Sequence, residues 1–97
     1  MNRSDILREL SKNQDELKKH YAIESLSIFG SVAREQTTVD SDLDILVSFR
    51  ETPGLFKFLE LKSHLEKICR CSVDLVTEKA LKKQLRDQIL SEALNAI

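Results

Sequence analysis

Apolar residues recur at Ile6, Leu10, Leu17 and Tyr21, with Leu7 beside them and charged residues between. That spacing predicts a first helix, capped by Asn2 or Ser4 and running to about His20. The period then changes. From Glu24 to Gly30, Leu26 and Ile28 alternate with Ser25, Ser27 and Phe29, which predicts a short strand with one apolar face. It stops at Gly30-Ser31, and Val32 to Gln36 reads as a helical turn or two with Ser31 as N-cap. Thr37 to Ser41 reads as a polar loop, Ser41 capping the turn before the next strand. In that second strand Leu43, Ile45, Val47 and Phe49 alternate with Asp42, Asp44, Leu46 and Ser48. Glu51-Thr52-Pro53-Gly54 holds the only proline and one of two glycines, so the chain turns there. A further helix follows with Phe58, Leu61, Leu65 and Ile68 on one stripe, then a third strand, Val73-Asp74-Leu75-Val76. Thr77 is placed to cap a last helix in which Leu81, Leu85, Ile89, Ala93 and Ile97 repeat every fourth residue. Leu90 and Leu94 fall off that stripe and have two readings, core packing, which is favoured, and a partner-binding surface.

The predicted order is α-β-α-β-α-β-α. The apolar sides of the strands would face the helices, while Ser27, Asp42, Asp44 and Asp74 share the opposite, open face of a half-covered sheet. At 97 residues the chain fits one domain, 1–97, with a modest core. Basic and acidic residues number 15 and 16, so bulk electrostatics will not hold it on nucleic acid or a membrane. A local phosphate site remains open, because it needs only a few placed groups. Cys69 and Cys71 have one residue between them and no nearby histidine, and read as two reduced thiols. His20 and His64 read as surface positions, Tyr21 and the four phenylalanines as core or interface. No apolar run approaches the ~18 residues of a membrane span, and the first ten residues lack a signal-peptide core. The expected location is the cytoplasm.

Two residues apart on one strand, Asp42 and Asp44 project from the same face with Cα atoms roughly 6.5–7 Å apart. Asp74 lies in a strand that can pair beside them. Three carboxylates so placed repel one another unless a cation lies among them, and hard divalent ions such as Mg²⁺ take oxygen ligands shared with phosphates. Two such ions can stabilise the attacking and leaving oxygens of an in-line displacement. Gly30-Ser31 complements them: a glycine at a strand end lets a phosphate approach the backbone, and the helix start after it offers free N–H groups. The Ser31 hydroxyl is placed to donate one more hydrogen bond. Gly-Ser alone is a common turn, and Asp-x-Asp is more often a solvated strand start. Their conjunction points to a nucleoside triphosphate.

The run GSVAREQTTVDSDLDILV, Gly30 to Val47, resembles the signature of the DNA polymerase β-like nucleotidyltransferase superfamily. In element order the whole chain is similar to its shortest branch, the minimal nucleotidyltransferases. That resemblance implies an α+β fold, a small mixed sheet of three to four strands with helices packed mainly on one face. It implies nucleotide binding at Gly30 and Ser31, metal binding at Asp42, Asp44 and Asp74, and a catalytic role for all three aspartates, Asp74 helping to activate the acceptor hydroxyl. Two Mg²⁺ ions and ATP are the implied cofactor and substrate. Arg34 has two even readings, a phosphate contact or a brace against a carboxylate. One departure stands out: the position after Ala33-Arg34 is often glycine in the family, and here it is Glu35, read as pointing to solvent. The resemblance also implies a helical HEPN-type toxin partner, with this chain as the antitoxin that transfers AMP to a toxin tyrosine. The alternative is a non-catalytic antitoxin that neutralises its partner by contact alone.

Overall fold

The computed structural model describes residues 2–36 and 42–97. The expected loop from Thr37 to Ser41, with the capping role of Ser41, lies outside them. The elements are α1 (Arg3–Lys12), α2 (Gln14–Tyr21), β1 (Ile23–Phe29), α3 (Gly30–Ala33), β2 (Leu43–Phe49), α4 (Leu55–Cys69), β3 (Val73–Thr77), a 3-10 turn (Glu78–Ala80), α5 (Lys83–Glu92) and β4 (Leu94–Asn95). The four strands form one sheet in the order β3-β2-β1-β4. β1 runs antiparallel to β2 and β4, and β2 runs parallel to β3. A parallel pair needs a crossover, which α4 supplies. The expected small mixed α+β sheet is what forms.

Its core lies on the apolar side predicted for the strands. Leu26, Ile28, Ile45, Val47, Leu61 and Leu65 are fully buried with Leu10 and Leu17, each contributing about 1.5–3 kcal/mol by leaving water. Leu46, on the polar side of β2, is also buried and outside that cluster. The face expected to be open is therefore covered over its middle. Cys69 is buried and both thiols are free. Burial pushes the Cys69 thiol up to about 12, so it is an inert packing group.

Three expectations change, and one alternative is decided. The first helix is two, broken at Asn13: the Asn13 amide donates to the Glu9 carbonyl at 2.8 Å, a side-chain bond that competes with helix propagation. Of the two expected caps Asn2 is the one used, accepting from the Asp5 N–H at 2.9 Å. Ser31 is not an N-cap, because α3 already begins at Gly30 and Phe29 holds the cap position. His64 is half-buried, its Nδ1 3.1 Å from the Tyr21 hydroxyl, whereas His20 is exposed as expected.

The largest change is at the C-terminus. The helix expected to reach Ile97 stops at Glu92, and Thr77 makes no capping bond. Leu94 and Asn95 pair with Ile28 and Ser27, and the Ala96 N–H donates to the Leu26 carbonyl at 2.8 Å. The four-residue spacing suits a helix, but the edge of β1 presents unpaired backbone groups that the chain end satisfies. Leu94 packs against the core, the favoured of its two readings. Leu85 and Leu90 on α5 are exposed, as are Leu55, Phe56 and Leu59 on α4. Among the described residues no helix is long and apolar enough to cross a membrane.

Glu35 shows why glycine suits its position. Its φ is +58°, a left-handed conformation that costs a residue with a Cβ roughly 1–2 kcal/mol. Its carboxylate does point outward, pairing with Arg3 at 3.1 Å. Arg3 also donates to the Ala33 carbonyl at 2.8 Å, bracing the end of α3. Glu35→Ala loses the ion pair and keeps the strain, whereas Glu35→Gly loses the pair and the strain together. Denaturant unfolding should therefore find Glu35→Gly the more stable of the two, by about 1 kcal/mol.

Candidate active site

Two strand registers assemble the site. Across the antiparallel pair, Phe29 lies opposite Asp44, so the chain leaves β1 at Gly30 directly beside that aspartate. Across the parallel pair, Asp44 lies opposite Asp74, on backbones about 4.8 Å apart. Gly30 has φ +71°, and a Cβ built there would meet Asp44 Oδ2 at 2.1 Å. The glycine expected to admit a phosphate thus first of all admits the carboxylate of Asp44. Asp42, two residues earlier, is exposed, as is Asp74, while Asp44 is half-buried.

The three acids are felt at Asp44. Its carboxyl is held above the ordinary carboxylate range by burial first, then by the charge of Asp74, a carboxyl–carboxyl hydrogen bond to Asp74, and the charge of Asp42. Arg34 pulls in the other direction. Among the described residues no three metal-ligating side chains are drawn into a finished cage. Asp44 and Asp74 touch and Asp42 stands beside them. This donor set nevertheless fits a hard divalent ion: it is all carboxylate oxygen, and its members repel one another without a cation.

The phosphate side of the site is smaller than expected. Ser31 lies within α3, a single turn, half-buried. No side chain caps that turn, so its leading N–H groups are the donors a phosphate could meet. Arg34 is braced: its Nε donates to Gln36 Oε1 and its Nη1 to Glu92 Oε2, each at 3.3 Å. Glu92 is 58 residues away in sequence, and no local pattern pointed to it. An apolar pocket of about 300 Å³, walled by Val47, Phe49, Pro53, Leu55 and Phe58, opens at the other end of β2 and β3. It lies three register positions from Asp44 and Asp74, about 10 Å along the strands, and belongs to a different part of the surface.

A group whose folded-state carboxyl titrates above its unfolded value costs stability as pH rises through that interval, and costs none below it. Asp44 is such a group. With metal chelated, Asp44→Asn should match the parent protein in stability near pH 3.5 and exceed it increasingly toward neutrality, by about 0.5–1.5 kcal/mol. Thermal melts across pH read the difference; a large loss at every pH would mean that Asp44 is a structural acceptor. Gly30→Ala must push the Asp44 carboxylate aside and strain φ, for a loss of about 1–2 kcal/mol by denaturant unfolding.

The polymerase β nucleotidyltransferase family pattern matches residues 11–95. A Methanocaldococcus jannaschii protein named as a protein adenylyltransferase is 45% identical over 80% of this chain and 91% of its own length. The protein adenylyltransferase MntA of Thermococcus cleftensis is 38% identical over 88% of this chain and 86% of its own. A solved structure described as a minimal nucleotidyltransferase superposes with a TM-score of 0.80 at 37% identity, covering 97% of this chain and 95% of that one. Another, of the toxin–antitoxin MntA-HpeT, gives a TM-score of 0.64 at 25% identity, covering 98% and 71%. With Gly30, Asp44 and Asp74 meeting in one place and this extent of likeness, the chain belongs to the polymerase β nucleotidyltransferase family.

Proposed function

We propose that residues 1–97 act as one magnesium-dependent adenylyltransferase domain. It moves AMP from ATP to a hydroxyl, a tyrosine, of a helical HEPN-type toxin in the cytoplasm, and so serves as the antitoxin. The observation that carries this reading is the register that stacks Asp44 on Asp74 beside Gly30, where the missing Cβ leaves room for the Asp44 carboxylate. The relatives named as protein adenylyltransferases and the toxin–antitoxin neighbour support the acceptor class. So does the surface: Leu55, Phe56, Leu59, Leu85 and Leu90 are exposed apolar side chains that a protein partner would cover.

In the transfer, the acceptor oxygen forms a bond to the α-phosphorus of ATP, the bond from that phosphorus to the bridging oxygen breaks, and pyrophosphate leaves. Gly30 and Ser31 hold the nucleotide phosphates, and Arg34 adds positive charge beside them. Asp74 takes the acceptor hydroxyl proton, directly or through water. Asp42, Asp44 and Asp74 would hold two magnesium ions, which when bound neutralise charge on the reacting phosphate.

The contact-only alternative drew its support from Glu35, an acid near the phosphates. That support weakens, because the Glu35 carboxylate is occupied by Arg3. Incubation with labelled ATP, Mg²⁺ and the HEPN partner should label a tyrosine of the partner, located by mass spectrometry. Chelation of the metal should abolish labelling. The double variant Asp42→Asn/Asp44→Asn should lower the rate at least ~1,000-fold, about 4 kcal/mol of barrier, and lose metal-dependent ATP binding in calorimetry. A partner that is inhibited but never labelled would establish the contact-only reading instead.

A further inference from the structure

Glu92 ends α5, a helix with no buried residue, yet its backbone is closely held. The Ala93 N–H donates to the Ile89 carbonyl at 2.9 Å, and Leu94 pairs with Ile28. Glu92 therefore lies two residues from a strand pairing that is itself two residues from Gly30. Its carboxylate meets Arg34 Nη1 at 3.3 Å. Arg34 is tied to the same junction, since its N–H donates to the Gly30 carbonyl at 3.1 Å.

An exposed ion pair of this kind stabilises a fold by little. Side-chain solvent exposure is 46% for Arg34 and 36% for Glu92, so stability does not account for the arrangement. What it does accomplish is orientation. A guanidinium is a rigid fork of five donors. Gln36 takes Nε and Glu92 takes one side of Nη1. Among the described residues Nη2 makes no hydrogen bond, and the guanidinium is near enough to Asp44 to favour its charged form.

We infer that Glu92 is a positioning residue, holding Arg34 beside Gly30-Ser31 and the Asp44–Asp74 pair so that the remaining face of its fork receives an anionic oxygen of the nucleotide triphosphate. The inference rests on the nucleotidyltransferase reading and deepens it, because it makes α5 and β4 part of the nucleotide site. Prior fixation of the fork lowers the entropy cost of binding. The Glu92 carboxylate accordingly helps an anion bind even though it carries the same sign of charge.

The test is calorimetric titration of ATP with Mg²⁺ into the unmutated protein, Glu92→Ala, Glu92→Gln, Arg34→Ala and Arg34→Ala/Glu92→Ala, with a thermal melt of each. Glu92→Ala should weaken binding about three- to tenfold with little change in melting midpoint. Glu92→Gln, which keeps an acceptor oxygen, should restore most of the affinity. The double variant should bind no more weakly than Arg34→Ala alone, because Glu92 acts through Arg34. Labelling of the partner should show the Glu92→Ala effect in KM for ATP more than in kcat. Unchanged or tighter ATP binding by Glu92→Ala would overturn the inference, tighter binding marking Glu92 as a competitor for Arg34. Equal losses in the presence and absence of Arg34 would overturn it too. No ATP binding by the unmutated protein would remove the nucleotidyltransferase reading and this inference together.

Discussion

The Asp44 carboxylate occupies the space where a side chain of residue 30 would be, and the site depends on that substitution of one volume for another. It requires glycine at position 30, the left-handed backbone that only glycine adopts without strain, and a β1–β2 register that ends with Phe29 opposite Asp44. A one-residue slip would move Asp44 to the other face of the sheet and put an apolar neighbour in its place. That register shifts between Ile23 and Ser25, so it is the far end of the hairpin, from Ser25 onward, that determines what Gly30 meets.

The second register adds charge to this close approach. Asp74 arrives beside Asp44 because β3 is parallel to β2, and β3 can be parallel only because α4 carries the chain back across the sheet. Leu61 and Leu65 anchor that crossover in the core. Apolar packing on one side of the sheet thus opposes carboxylate repulsion on the other. Asp44 bears the cost of that repulsion, its carboxyl held above the ordinary range by burial and by the charges of Asp74 and Asp42, and a divalent cation among the three carboxylates would relieve it.

Around this centre the chain closes in from both ends. Arg3, at the start of α1, holds the end of α3 and the Glu35 carboxylate. Glu92, at the end of α5, holds Arg34. The α3 turn is too short to be stable alone, and the Gly30-centred backbone bonds with the Arg3 bond to the Ala33 carbonyl keep it in place. Helix α5 buries no residue of its own, so its position rests on β4, on Arg34 and on the Arg86–Glu78 ion pair.

Strand and helix periodicity alone placed Leu26, Ile28, Ile45 and Val47 in the core and set Asp42, Asp44 and Asp74 apart from them, because alternation dictates which face a side chain takes wherever one face is buried. The turn at Pro53-Gly54 and the inert cysteines were equally legible, being local matters of backbone freedom and thiol environment. The break at Asn13 was local too, but its cause is one side-chain hydrogen bond that no hydrophobic period records. The C-terminus was decided elsewhere: spacing at Leu85, Ile89, Ala93 and Ile97 suits a helix, and only the unpaired edge of β1 draws Leu94 to Ile97 into extended backbone. Strand pairing also determined that Gly30 faces Asp44 and that Asp44 faces Asp74, since register joins residues far apart in the chain. Glu92 meets Arg34 for the same reason, because contact across 58 residues exists only once the sheet has closed.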